Sequence, residues 1–91
     1  MALNDPTKLR RRVGARIAEL RVARGWTQEM LAEQIEVSPR YLQAMEGGQE
    51  NLTLESLAKI GNVLRVRVAE LFAETEARAR PKTRGVAKKR A

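Results

Sequence analysis

Three residue types within one short segment have the chemistry and spacing needed to read DNA bases. The segment runs SPRYLQAMEGG from residue 38 to residue 48. An Arg can donate two hydrogen bonds to guanine, a Gln can pair with the edge of adenine, and an Ala can contact the methyl group of thymine. The candidate base-contacting residues are Ser38, Pro39, Arg40, Gln43 and Ala44.

Whether this face is available depends on which side of the helix is buried. Leu42 and Met45 fall on one side at 100° per residue, so the pattern predicts that they pack inward. Arg40 and Gln43 then project outward, with Tyr41 on the flank as a candidate contact to a DNA phosphate. The alternative is an ordinary solvated helix face, and only the segment that precedes it favours the DNA interpretation.

The preceding segment predicts a second short helix and a tight turn. Thr27 and Ser38 have the side-chain oxygens that cap helix N-termini, and Pro39 occupies the first helical position, where its missing N–H is harmless. Gly47 and Gly48 tolerate positive φ and are expected to end the second helix. Two hydrophobic pairs bracket the caps at the spacing of a staple, Trp26 with Leu31 and Val37 with Leu42.

Three more helices are predicted around this pair. The first starts at Asn4 or Asp5 followed by Pro6 and ends at Gly25, and the fourth is capped by Thr53. Gly61 of the fourth helix is expected to permit close packing, and residues 66–72 form a last short helix. The apolar residues expected to face the core are Leu9, Val13, Ile17 and Leu20 in the first helix, Leu57, Ile60 and Leu64 in the fourth, and Leu71 and Phe72 in the last.

The joint pattern resembles the phage-repressor-like helix-turn-helix family (Cro/cI, also called XRE). The resemblance covers roughly residues 9 to 73 and includes NLTLESLAKI and VAELF. It implies an all-α, compact, five-helix lambda-repressor-like domain with the helix-turn-helix at the second and third helices. It also implies a transcriptional regulator that binds operator DNA as a homodimer. The matching signature residues are Gln28, Ala32, Val37, Ser38, Leu42, Met45, Glu46 and Gly48, with Arg21 and Gly25 before them.

The same resemblance assigns roles to three of these residues. Gln28 would hold a DNA phosphate at the start of its helix, where backbone N–H groups already favour an anion. Arg21 would reach Glu46 as a structural ion pair that orients the reading helix. Three positions depart from the family pattern, with Glu36 and Arg65 in place of frequent glycines and Arg67 in place of a capping Ser or Asp.

Cations cluster at the start of the first helix, among them Arg11 and Arg12. Positive charge near the positive end of a helix dipole is unfavourable, and an external phosphate would relieve it. We therefore expect Arg11 and Arg12 to contact DNA phosphates, with a solvated basic patch as the alternative.

The net charge of +7 comes from the C-terminal tail. All 11 acidic residues and 11 of the 18 Lys and Arg residues lie in positions 1–76. The remaining seven cations lie in residues 77–91, whose composition predicts disorder. We expect a DNA-binding domain over 1–76 and a basic tail over 77–91 that either adds phosphate contacts or only improves solubility.

Composition also limits the classes of function. The sequence has no His and no Cys, and its acids are scattered, so we expect no catalytic site, no metal site, no cofactor and no enzymatic activity. No apolar stretch is long enough to cross a membrane, no small-molecule ligand is indicated, and a cytoplasmic location is expected.

The expected partners are double-stranded DNA and a second copy of the chain. Three alternatives remain open. They are a restriction–modification controller, suggested by PRYL followed by ENLTL, an autoregulating antitoxin, and a protein-interaction module that keeps the fold without reading DNA.

Overall fold

Each α-helix begins where a short polar side chain accepts a backbone hydrogen bond. The computed structural model describes residues 3–73. Within that range, α1 spans Pro6–Ala23, α2 Gln28–Ile35, α3 Pro39–Glu46 and α4 Leu54–Leu64, and a 3-10 helix spans Val68–Phe72. The predicted boundary at residue 76 and the whole basic tail, residues 77–91, lie outside the described residues.

The four predicted N-caps are all present. The side chains of Asp5, Thr27, Ser38 and Thr53 accept hydrogen bonds from backbone N–H groups of the first turn, at 2.9 to 3.1 Å. Each such bond satisfies a donor that the helix itself cannot, which is typically worth about 1 kcal/mol. The helix starts are therefore fixed by local chemistry that the sequence displays directly.

The core is aliphatic, in keeping with a sequence that has only three aromatic residues. It is formed by Val13, Ile17, Leu31, Ala32, Ile35, Leu42, Met45, Leu57, Ile60, Leu64 and Leu71. The residues that precede the caps of α2, α3 and α4 are Trp26, Val37 and Leu52, and all three pack against this core. α1 packs against α3, α4 and the 3-10 helix, and α3 contacts both α1 and α2.

Two predictions about the last element are corrected. The predicted fifth helix is a five-residue 3-10 helix, and Arg67 at its N-cap makes no side-chain hydrogen bond there. Leu71 is fully buried, but Phe72 is 42% exposed and does not close the core. A 3-10 helix has three residues per turn, so the neighbours Leu71 and Phe72 point well apart, and of these two only Leu71 reaches the interior.

The two residues that replace family glycines adopt the left-handed conformation. Glu36 has φ 63° and ψ 45°, and Arg65 has φ 63° and ψ 43°. Each follows a helix whose last carbonyl oxygen accepts a hydrogen bond from a cationic side chain. Lys59 Nζ donates to Ile35 O at 3.4 Å, and the Arg24 guanidinium donates to Leu64 O. Both helices therefore end in a left-handed residue that is not glycine, at a conformational cost of roughly 1–2 kcal/mol per residue.

Of the two glycines after α3, only one adopts the positive φ that both were expected to tolerate. Gly47 has φ −83°, in the helical region, and only Gly48 is left-handed, with φ 77°. Gly61 is buried in α4, where a Cβ would lie 2.9 Å from Val66 O. Gly61 therefore permits the chain that leaves α4 to pass close to the helix, as expected.

Candidate nucleic-acid interface

Helix α3 is anchored by one face and presents the other to solvent. Leu42 is fully buried and Met45 is 1% exposed, whereas Arg40 and Gln43 are exposed. Within residues 3–73, neither the Arg40 side chain nor the Gln43 side chain makes a hydrogen bond or an ion pair. Two strong polar groups therefore project from a rigid helix with their hydrogen-bonding capacity unused.

The other candidate base-contacting residues lie on or beside the same face. Ser38 and Pro39 are at the start of α3, where Pro39 is exposed, and Ala44 is half-buried. The Ser38 hydroxyl already accepts a hydrogen bond from the Tyr41 backbone N–H at 3.0 Å. Ala44 is small and apolar, a side chain that can contact the methyl group of thymine.

The carboxylate of Glu46 joins three helices at the end of α3. Arg21 of α1 donates from Nε to Oε2 at 2.8 Å and from Nη2 to Oε1 at 3.1 Å. Gln28 of α2 donates from Nε2 to the same Oε1 at 2.9 Å. A bidentate guanidinium–carboxylate contact fixes direction as well as distance, so this cluster sets how α3 is oriented on α1 and α2.

The same cluster determines what Gln28 can still do. A glutamine amide has two N–H donors, and one of them is used by Glu46. The second N–H and the first backbone N–H groups of α2 remain for an external acceptor. The assignment of Gln28 to a phosphate remains a prediction, and the structure adds a hydrogen bond that sequence reasoning did not supply.

The basic segment of α1 lies beside the loop that follows α3. Gly48 packs so closely on α1 that a Cβ there would lie 2.7 Å from Arg11 Cγ. Arg10 donates to Asn51 Oδ1 at 3.2 Å. Arg11 is exposed, whereas Arg12 is half-buried and already has an interaction partner. Arg11 is therefore a better candidate than Arg12 for the phosphate contact that was predicted for both.

Tyr41 lies on the flank of α3, as expected from its position in the helix. Its side chain is 38% exposed and borders a groove between α3 and the start of α4. A phenol at this place can donate to a passing phosphate, which remains the prediction for this residue.

One residue that positions α3 was not singled out from the sequence. Gly14, in the middle of α1, is buried beneath the last turn of α3. The available signal was a glycine inside an otherwise helical segment, which costs about 1 kcal/mol relative to alanine and often marks a close approach of backbones.

Comparison with known proteins identifies the family. Residues 17–71 match the family model described as helix-turn-helix, HTH_3. The chain belongs to the XRE helix-turn-helix family of transcriptional regulators. The predicted fold class and the DNA-binding, transcription-regulating character of the family are thereby confirmed.

Individual relatives of this XRE-family chain cover it to different extents. The HTH-type transcriptional regulator y4dJ of Sinorhizobium fredii is 34% identical over 68 residues, which is 75% of this chain and 88% of y4dJ. The HTH-type transcriptional regulator RamB of Mycobacterium tuberculosis is 41% identical over 54 residues, 59% of this chain. This chain spans only 11% of the length of RamB.

A solved structure supports the same fold. The restriction-modification controller protein C.AhdI of Aeromonas hydrophila superposes with a TM-score of 0.71 and is 33% identical. The match covers 76% of this XRE-family chain and 100% of C.AhdI.

Over the described residues, none of the helices is both long enough and apolar enough to span a membrane.

Proposed function

We propose that this chain is a sequence-specific DNA-binding regulator whose α3 enters the major groove. The observation that carries the proposal is the unused polar face of α3, with Arg40 and Gln43 exposed opposite the buried Leu42 and Met45. Membership of a DNA-binding regulator family supports it. Arg40, Gln43 and Ala44 would contact base edges, and Ser38 and Pro39 would contact bases or the nearby backbone.

Residues outside the base-contacting set would fix the register on the duplex. Gln28 and Tyr41 would donate to phosphates from the two sides of the reading helix, and Arg11 would add a cation beside the loop after α3. Such contacts position a protein on DNA and carry no base preference of their own. The Arg21–Glu46 pair would keep α3 at the angle that these contacts require.

The size of the reading surface supports a homodimer on a palindromic operator. Helix α3 has eight residues and is therefore about 12 Å long, enough for only a few base pairs. Two copies related by a two-fold axis would place their reading helices in successive major grooves, about 34 Å apart. Sedimentation of the free protein and of its complex with DNA measures this directly, and a single copy on the selected site would refute the dimer.

The proposed function is binding and not catalysis, and we propose a cytoplasmic location for it. Among the specialised roles, that of a restriction–modification controller is favoured by the similarity to C.AhdI over the full length of that protein. An autoregulating antitoxin has the same fold requirement, and the genes next to this one separate the two roles.

Selection of bound sites from random DNA tests the proposal. The full chain should enrich a palindromic sequence, and a variant that lacks residues 78–91 should enrich the same sequence with weaker overall binding. Because the removed segment carries seven cations, its loss should also flatten the dependence of affinity on salt. A full chain that enriches no sequence would favour the alternative of a protein-interaction module.

A further inference from the structure

Helices α1 and α3 meet backbone to backbone at Gly14. A Cβ at this position would lie 2.4 Å from Met45 O, 2.6 Å from Glu46 O and 2.8 Å from Glu46 C. Separations under 3.0 Å are essentially never seen for real Cβ atoms, and the atoms met here are backbone atoms that cannot rotate away. Any L side chain at position 14 must therefore displace the last turn of α3 or α1 itself.

A second glycine forms the same kind of contact where the chain leaves α3. A Cβ at Gly48 would lie 2.8 Å from Arg11 Cα and 2.9 Å from Arg11 N. Arg11 and Gly14 are three residues apart, so they lie on the same side of α1. The end of α3 and the residue two positions beyond it thus both lie directly on one stripe of the α1 backbone.

The Arg21–Glu46 pair continues this stripe. Arg21 is seven residues after Gly14, two helical turns along the same side of α1. It holds Glu46, whose carbonyl oxygen is one of the atoms in contact with Gly14. The C-terminal end of α3 is therefore seated on α1, while its N-terminal end, which carries Arg40, projects into solvent.

Because the C-terminal end of α3 rests on α1, a change in how closely that end packs also changes the direction in which the N-terminal end points. Helix α3 is about 12 Å long, so lifting its last turn by ~1 Å rotates it by about 5° and moves the long Arg40 side chain with it. Bidentate contacts to a base tolerate only small errors, on the order of 0.5 Å in position.

We propose that Gly14 is a positioning residue for DNA reading, because its missing side chain sets the depth at which α3 rests on α1. This proposal rests on the proposed function, since it assumes that Arg40 and Gln43 contact bases. Gly14 itself touches no DNA, and its effect passes through the last turn of α3.

The test compares Gly14→Ala with Gly61→Ala. Both replace a buried helical glycine whose Cβ would meet a backbone carbonyl oxygen, but Gly61 faces Val66 and lies away from α3. For each variant we measure the melting temperature, the amide chemical shifts of the free protein, and the ratio of affinities for the selected site and for scrambled DNA. Both substitutions should lower the melting temperature.

Only Gly14→Ala should affect base reading. We expect its affinity ratio to fall about tenfold, the reduction expected when one good bidentate contact is misaligned, with the affinity for scrambled DNA unchanged. Its amide shifts should change across residues 39–48. Gly61→Ala should keep the ratio within about twofold, and its shift changes should be confined to α4 and the residues after it.

A second variant covers the case in which Gly14→Ala does not fold. Gly48→Asn retains a residue that adopts the left-handed conformation, and it places a Cβ against Arg11 at the same α1–α3 contact. It should reduce the affinity ratio in the same way. If both variants fold and keep the ratio, or if neither folds, the contact maintains the fold without orienting α3, and the proposal is wrong.

The wild-type protein separates this proposal from the one it rests on. If the wild type enriches a sequence and Gly14→Ala reads that sequence equally well, only the role of Gly14 is refuted. If the wild type enriches no sequence, the proposed function fails and the role of Gly14 in reading fails with it.

Discussion

Arg21 of α1 donates two hydrogen bonds to the carboxylate of Glu46 at the end of α3, at 2.8 and 3.1 Å. The two side chains are 13% and 6% exposed, so most of the pair is removed from water. Arg21 also donates to Trp26 O at 2.8 Å, which ties the loop before α2 to the same guanidinium. Since a desolvated pair is a weak source of stability, its main effect is to fix the relative directions of α1, α2 and α3.

Removal of one partner of the Arg21–Glu46 pair should still be costly, because the charged group that remains would be buried without a counter-charge. We expect Glu46→Leu to lower the free energy of unfolding by about 3 kcal/mol, because it leaves the Arg21 guanidinium largely buried without its carboxylate. The double variant Arg21→Met with Glu46→Leu should be more stable than Glu46→Leu alone, since no unpaired charge remains. Urea unfolding measures both, and Glu33→Ala, an exposed carboxylate on α2, is the control. If Glu46→Leu lowers stability by less than about 0.5 kcal/mol, the usual range for a surface change, the role given to the pair is contradicted.

Gln28 offers a test of the phosphate contacts that is independent of charge. Gln28→Ala removes a neutral donor, so it should weaken binding to selected and scrambled DNA by a similar factor, about fivefold for one hydrogen bond. The slope of affinity against salt should stay the same, because counterion release follows the number of cations. Fluorescence anisotropy over a range of salt concentrations provides the measurement.

Gln34→Ala, on the exposed side of α2, serves as the control for Gln28. A change in base preference for Gln28→Ala would mean that Gln28 acts through Glu46 and the orientation of α3 instead of through a phosphate. Equal affinities for Gln28→Ala and wild type would show that Gln28 makes no contact with DNA.

Glu36 carries a conformational cost that a substitution can recover. Its φ of 63° lies in the left-handed region, which glycine adopts without steric strain. We expect Glu36→Gly to raise the free energy of unfolding by about 1 kcal/mol. The substitution also removes the ion pair between Glu36 and Lys59, but both side chains are more than half exposed at a separation of 3.6 Å, so the pair contributes little.

Glu36→Ala is the matched control, because it removes the same carboxylate but keeps a Cβ in the left-handed conformation. It should leave stability close to that of the wild type in thermal or urea unfolding. Equal stability of the Gly and Ala variants would show that the turn carries no recoverable cost.

The features that the sequence predicted are those set by neighbouring residues. Ser38 followed by Pro39 specifies the start of α3 within one turn, and the 100° rotation per residue places Leu42 and Met45 on one face wherever the helix is packed. The unused polar face of α3 was predictable for the same reason. These inferences need only the period of a helix and the chemistry of its caps.

The features that the sequence did not predict depend on what lies across the fold. Phe72 was expected in the core beside Leu71, but the 3-10 geometry of the last element turns it outward to 42% exposure. The hydrogen bond from Gln28 to Glu46 joins residues 18 positions apart, and the seat of α3 on Gly14 joins residues of two separate helices. Such contacts follow from the packing of whole helices, which spacing along one helix does not determine.

Arg40 provides the most direct test of base reading. Its guanidinium is exposed on α3 and has no partner within residues 3–73. Arg40→Ala should therefore leave the melting temperature nearly unchanged, because nothing in the described fold depends on this side chain. At one position of the selected site it should cost ~1–3 kcal/mol and relax the preference for the wild-type base, as expected when a bidentate hydrogen bond to guanine is removed.

Arg67→Ala separates base reading from simple loss of charge. Arg67 is also exposed, but it lies before the 3-10 helix and outside α3. Its removal should weaken binding to all sequences slightly, if at all, and leave the base preference at every position intact. Binding to a panel of single-base variants of the selected site measures both proteins in parallel. If Arg40→Ala and Arg67→Ala give the same uniform loss across the panel, Arg40 does not read a base, and the reading of bases must be assigned to Gln43 and its neighbours.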